Sequence, residues 1–121
     1  MPFGSTDQVG LLDRSLRHVY RNGTMEDDAG LVRAHIKVTG TVQGVGYRYW
    51  AARNAGSLSL GGCVWNLPDG SVEAVFCGAS DAVREMIGRC ETGPSFSYVQ
   101  GLQVLHLETV AECPDVFRIL R

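Results

Sequence analysis

The chain has 121 residues, 45% of them hydrophobic and 20% charged, with a formal net charge of −2. That length suits one domain plus an extension, and the composition is that of a globular protein rather than a disordered one. A slightly acidic chain has no electrostatic case for nucleic acid, and no apolar run reaches membrane-spanning length, so neither partner is expected.

Residues 1–30 read as an N-terminal extension, poorly ordered or a short helix. Val9 to Tyr20 can form a short amphipathic helix with Leu12, Leu16 and Val19 on one side. Asn22-Gly23 breaks the pattern, and Glu26-Asp27-Asp28 is an acidic, solvated run. Asp7 and Asp13 interrupt the Arg-rich, acid-poor character of a transit peptide, and no secretory signal is apparent. A cytoplasmic, reducing setting is therefore expected.

The domain is expected over residues 31–121. Val32, Ala34, Ile36 and Val38 alternate with Arg33, His35 and Lys37, the pattern of a strand with one buried face. The run Gly40-Thr41-Val42-Gln43-Gly44-Val45-Gly46-Tyr47-Arg48 follows. Two glycines two residues apart let successive backbone N–H groups turn inward and line a concavity for a tetrahedral anion, and the next helix's positive end adds to the attraction. Arg48, at that helix's start, can reach the same anion with its planar fork. The bland alternative is an ordinary glycine turn with a surface arginine. No nucleotide is implied: Tyr47-Arg48 is not the Lys-Ser/Thr pair of a P-loop, and Tyr49 stands where a dinucleotide loop needs its third glycine.

Tyr47, Ala51, Ala55 and Leu58 recur at helical spacing, which predicts a helix over Arg48–Leu58, weakened at Gly56 by about 1 kcal/mol relative to alanine. Leu60–Asn66 and Val72–Gly78 form a hairpin about the turn formers Pro68, Asp69 and Gly70. Asn66 ends the first of these strands. Its amide, both donor and acceptor, can hold a water and a phosphoryl oxygen together, or simply cap the turn. In the second strand Val72, Ala74 and Phe76 share a face. Ser80 can cap a second helix, with Asp81 in its first turn and Ala79, Val83, Met86, Ile87 and Cys90 on its buried side. Gly93-Pro94 stops it. Tyr98–Leu107 is a long strand with a bulge expected at Gly101, and Val116–Leu120 adds a short final strand. The order β-α-β-β-α-β is that of an α+β, ferredoxin-like sandwich: an antiparallel sheet with both helices on one face.

Cys63, Cys77, Cys90 and Cys113 form no C-x-x-C pair, and His18, His35 and His106 lie far apart, so no metal site is expected. Cys77 and Cys90 fall in apolar patterns and read as buried thiols.

The two motifs together resemble the acylphosphatase family. Val38 to Arg48 fits that family's first signature except that Tyr47 replaces Phe. Gly62, Val64, Asn66, Gly70, Val72 and Gly78 fit the second, with Cys63 where an aromatic is usual and Trp65 where a polar side chain is usual. The likeness runs on through Gly93-Pro94 and Val99 to Phe117-Arg118-Ile119, covering about residues 31–121. It implies hydrolysis of small acyl phosphates to a carboxylate and inorganic phosphate by a monomer without cofactor, with phosphate as product and inhibitor. It also implies catalytic roles for Arg48 and Asn66, with the phosphate on the backbone N–H groups of Gln43, Gly44, Val45, Gly46, Tyr47 and Arg48. The fold alone decides nothing about activity. A phosphate-binding module without catalysis, or an RNA-recognition domain, shares it. The second needs aromatics on an open, basic sheet face, where Glu73, Val75 and Cys77 are expected instead.

Overall fold

The computed structural model describes residues 30–121, so the helix expected over Val9–Tyr20 and the acidic run before residue 30 lie outside the described residues. β1 (Leu31–Thr41) buries Val32, Ala34, Ile36 and Val38 and turns Arg33, His35 and Lys37 to the other face. α1 (Tyr47–Ser57) buries Tyr47, Ala51 and Ala55, the two alanines letting its axis approach the sheet. β2 (Gly61–Asn66) and β3 (Val72–Ala79) form the expected hairpin. α2 (Ser80–Thr92), β4 (Tyr98–Val110) and β5 (Phe117–Ile119) complete the chain. The strands lie in the order β4-β1-β3-β2-β5.

Four of these strands form the antiparallel sheet of the expected β-α-β-β-α-β sandwich. Both helices contribute to one core, in which Val83, Met86 and Cys90 of α2 join Tyr47, Ala51 and Ala55 of α1 over Ile36, Val64, Val72 and Phe76. Phe76 is fully buried and stacks with Phe117 of β5 at 5.4 Å. Glu73, on the opposite face, meets His35 Nε2 at 2.8 Å.

Directions within the sheet decide where the site lies. β3 is antiparallel to both β1 and β2, so β1 and β2 run the same way. Val38 and Asn66 flank Val72 from either side. The loop after β1 and the turn after β2 therefore leave the same end of the sheet.

The sheet differs from an all-antiparallel one at its last strand. β5 pairs with β2 in parallel, matching Val64 with Ile119. The connection from β4 passes across the end of the sheet far from the β1 loop, so β5 enters at the far edge in the direction of β2. The carbonyl of Pro114 lies where a side chain on Gly61 would be, and the Gly62 N–H donates to Val116 O at 3.0 Å. Gly61 has to be side-chain-free for this crossing.

That connection also carries Cys113, whose sulfur is bonded to Cys77 with the Cα atoms 5.5 Å apart. Cys77 is buried as its apolar pattern implies, but it is a disulfide partner rather than a thiol. Cys63 and Cys90 are free, Cys90 buried.

Two local expectations also change. Ala79, not Ser80, occupies the N-cap of α2, because β3 runs into the helix without a loop. The Ser80 backbone N–H instead reaches Gly30 O at 3.3 Å, and Ala79 is exposed. β4 continues past Leu107 to Val110, and its register against β1 shifts twice, opposite Thr39/Gly40 beside Gly101 and again opposite His35/Ile36. Among the described residues no helix is long and apolar enough to cross a membrane.

Candidate active site

Gly44 and Gly46 have φ of 75° and 83°, in the left-handed region. A Cβ added to either meets nothing within 4 Å, so glycine is required there for conformation and not for space. Left-handed residues alternating with ordinary ones turn consecutive N–H groups to one side, which is the geometry of an anion nest. Gly46 is the N-cap of α1, with no side-chain cap, and the helix's hydrogen bonds begin with Trp50 N to Gly46 O at 3.0 Å. The N–H groups of Tyr47, Arg48 and Tyr49 thus have no partner within the helix and face the loop end, where the helix dipole favours an anion.

Tyr47 contributes only its backbone to this loop. Its ring is buried, and its hydroxyl donates to Cys90 O at 2.7 Å, so the oxygen that distinguishes it from phenylalanine is satisfied inside the core. Burial is the main reason the phenol resists ionisation, and burial likewise pushes the Cys90 thiol up to about 12. Neither group takes part in acid–base chemistry near neutrality.

Arg48 is the second residue of α1 and is partly exposed. Its Nη1 donates to Leu120 O at 3.2 Å. Leu120 is itself fixed by its N–H to Val64 O at 2.9 Å. The parallel course of β5 thus sets a carbonyl beside the guanidinium, and the remaining donors of the fork stay available to an anion. Nothing in the sequence pattern points to this contact, because a backbone acceptor has no residue signature.

Asn66 is the exposed last residue of β2, paired with Val72. The turn that follows is tightly held. Leu67 N donates to Ser71 O at 2.9 Å, and Asp69 Oδ1 accepts from Ser71 N at 2.9 Å and Ser71 Oγ at 2.5 Å. Lys37 Nζ lies 3.2 Å from Asp69 Oδ2. The Ser71 side-chain and backbone donors lead the causes that hold the Asp69 carboxyl down at about 2. A depressed carboxyl keeps its contacts above its ordinary range and loses them only as pH falls to about 2, so the turn is clamped throughout the neutral range.

The link between loop and turn is the Gln43 side chain. Its Nε2 donates to Leu67 O at 2.7 Å and to Ser71 O at 2.8 Å. Both partners are carbonyls, so the amide nitrogen must be the atom facing them. From the sequence Gln43 is expected to supply only a backbone N–H; the use of its amide depends on carbonyls 24 and 28 residues away and is invisible to spacing.

The departures at Cys63 and Trp65 fall on β2. Both are half-buried, and Trp65 tilts against His35 with ring centroids 5.7 Å apart. Burial raises the Cys63 thiol above its ordinary value. No three of His, Cys, Asp and Glu converge among the described residues in a way that would hold a metal ion.

Comparison with known proteins agrees with this architecture. A family model for acylphosphatase matches residues 34–119. An acylphosphatase of Trichormus variabilis is 53% identical over 78 residues, spanning 64% of this chain and 77% of that protein. That of Bifidobacterium longum is 41% identical over 95 residues, 78% of this chain and 98% of the other. The crystal structure of the acylphosphatase from Bacillus subtilis superposes with a TM-score of 0.70 at 32% identity, covering 74% of this chain and 99% of that one. With the glycine loop after β1, Arg48 at the start of α1 and Asn66 at the end of β2 in one ferredoxin-like sandwich, and a family model spanning residues 34–119, the chain belongs to the acylphosphatase family.

Proposed function

We propose that the chain hydrolyses small acyl phosphates to a carboxylate and inorganic phosphate, with the phosphoryl group held by the 43–48 loop and Arg48 and the attacking water positioned by Asn66. One observation carries these roles: the glycine loop that opens into Arg48 and the turn after Asn66 leave one end of the sheet and are joined by the Gln43 amide. The N–H groups and the guanidinium spread the charge of the transferring group, and Asn66 sets a water in line with the bond that breaks.

The leaving group is a carboxylate, stable near neutral pH, so little general acid is needed. Asn66 is no base, and the water's proton passes to a phosphoryl oxygen of the substrate. This chemistry asks for no metal. The test is hydrolysis of benzoyl phosphate with EDTA present: turnover persists, and inorganic phosphate inhibits competitively. Phosphate binding without turnover by folded protein would instead identify a non-catalytic module, and loss of turnover on chelation would end the metal-free reading.

RNA is not the partner in this reading, because Glu73 and its His35 contact occupy the middle of the open sheet face. Every group used comes from a single chain, so a monomer suffices. The cytoplasm remains the compartment of this reading, in which the Cys77–Cys113 bond meets a reducing setting through the half-buried Cys113 sulfur.

The catalytic unit in this reading is residues 31–121, and the extension before it is dispensable. A chain starting at Met25 should keep its Tm within a few degrees and its kcat within about twofold, because the sequence before residue 25 shows no pattern that joins the core. Thermal melts and steady-state kinetics check this; a large fall in Tm would mean that the Val9–Tyr20 segment docks on the domain.

A further inference from the structure

We infer that the Gln43 side chain is a positioning residue for the reaction, setting Asn66 against the phosphate loop. This rests on the water-positioning role of Asn66 proposed above.

Asn66 is exposed, and the ladder to Val72 fixes its backbone only on the β3 side. The next residue, Leu67, has already left β2. Its carbonyl accepts from Gln43 at 2.7 Å, and the Ser71 carbonyl, on the returning limb, accepts from the same nitrogen at 2.8 Å. One amide from the phosphate loop thus ties both limbs of the turn that carries Asn66. The Asp69–Ser71 bonds close this turn on itself but do not orient it toward the loop. Lys37 reaches it from β1, but on the exposed Asp69 carboxylate, where solvent competes. Gln43 is the half-buried tether, and a water held by Asn66 would shift with it relative to the phosphoryl group. Small misplacements of an attacking group are expensive because the reaction depends on near-attack geometry.

The role separates from general loop support through its readouts. The anion nest is made by the left-handed Gly44 and Gly46 and the start of α1, which remain when the Gln43 amide is removed. Gln43→Ala should therefore lower kcat by about tenfold while phosphate affinity stays within about twofold. In an Asn66→Ala background the same change should alter kcat by less than about twofold, since two residues acting through one water are non-additive. Gln43→Met keeps the side-chain volume, removes both donors and serves in the same cycle if the alanine variant fails to fold.

The experiment is the double-mutant cycle in kcat with benzoyl phosphate, with phosphate affinity by calorimetry on every variant. Additive losses from Gln43 and Asn66 would overturn the inference, as would a loss of phosphate affinity in step with kcat, which would make Gln43 a loop support. If Asn66→Ala alone leaves kcat unchanged, the water-positioning reading itself fails, an outcome distinct from both.

Discussion

Arg48→Ala is expected to lower kcat by about 10³-fold and to weaken phosphate binding by about tenfold or more, the scale of removing a charged donor that faces a transferring phosphoryl group. The two losses belong together in the proposed mechanism, in which Arg48 would hold the phosphoryl group in the ground state and in the transition state alike. Its fork is oriented before substrate arrives: Nη1 is spent on Leu120 O at 3.2 Å, and that carbonyl is anchored through the Leu120 N–H to Val64. Arg48→Lys should recover little, since an ammonium has neither the planar fork nor the reach to serve carbonyl and phosphate together. Steady-state kinetics beside phosphate titration by calorimetry checks both arms. Full recovery by lysine would show that only a point charge is needed there.

Asn66→Ala is expected to behave differently. It should lower kcat by about 10²-fold while phosphate binds as before, the mark of an interaction used chiefly in the transition state. Asn66 is exposed at the end of β2, and the turn beyond it is held by Asp69, Ser71 and Gln43, so its truncation leaves the fold intact. A folded Asn66→Ala protein with near-normal kcat would make Asn66 a turn residue and nothing more. The same variant serves as a control on Arg48: loss of phosphate affinity in Arg48→Ala but not in Asn66→Ala assigns the anion to the arginine and its loop.

What was legible in the sequence was whatever has a local cause. The alternation of Val32, Ala34, Ile36 and Val38, the glycines of the 43–48 loop and the Pro68-Asp69-Gly70 turn each carry their conformation in a few neighbouring residues, and the structure follows them. The features that escaped are long-range or lie in backbone atoms. Cys77 and Cys113 are separated by 36 residues, and their pairing depends on a connection that crosses the end of the sheet. The parallel seat of β5 follows from that same crossing, and three residues are too few to show a direction. Leu120 O, Leu67 O and Ser71 O shape the site through carbonyls that every residue type possesses. Ser80 failed as a cap for a different reason: a good capping residue is of no use one position inside a helix that begins directly from a strand.

The crossing has a consequence beyond catalysis. A sheet offers its two outermost strands to any neighbour with a free ladder, and such edges template association between copies. β4 forms one border and is guarded by its two register shifts, which twist a long strand out of flatness. The other border would be β2, were it not for the three residues of β5 laid along it. So short a strand holds its place poorly alone, and the Cys77–Cys113 bond shortens the leash that keeps it there. Opening that bond would loosen the guard strand and leave the β2 ladder less well covered. The bond therefore helps keep covered a border that would otherwise offer a free ladder to another copy, at the end of the sheet away from Asn66.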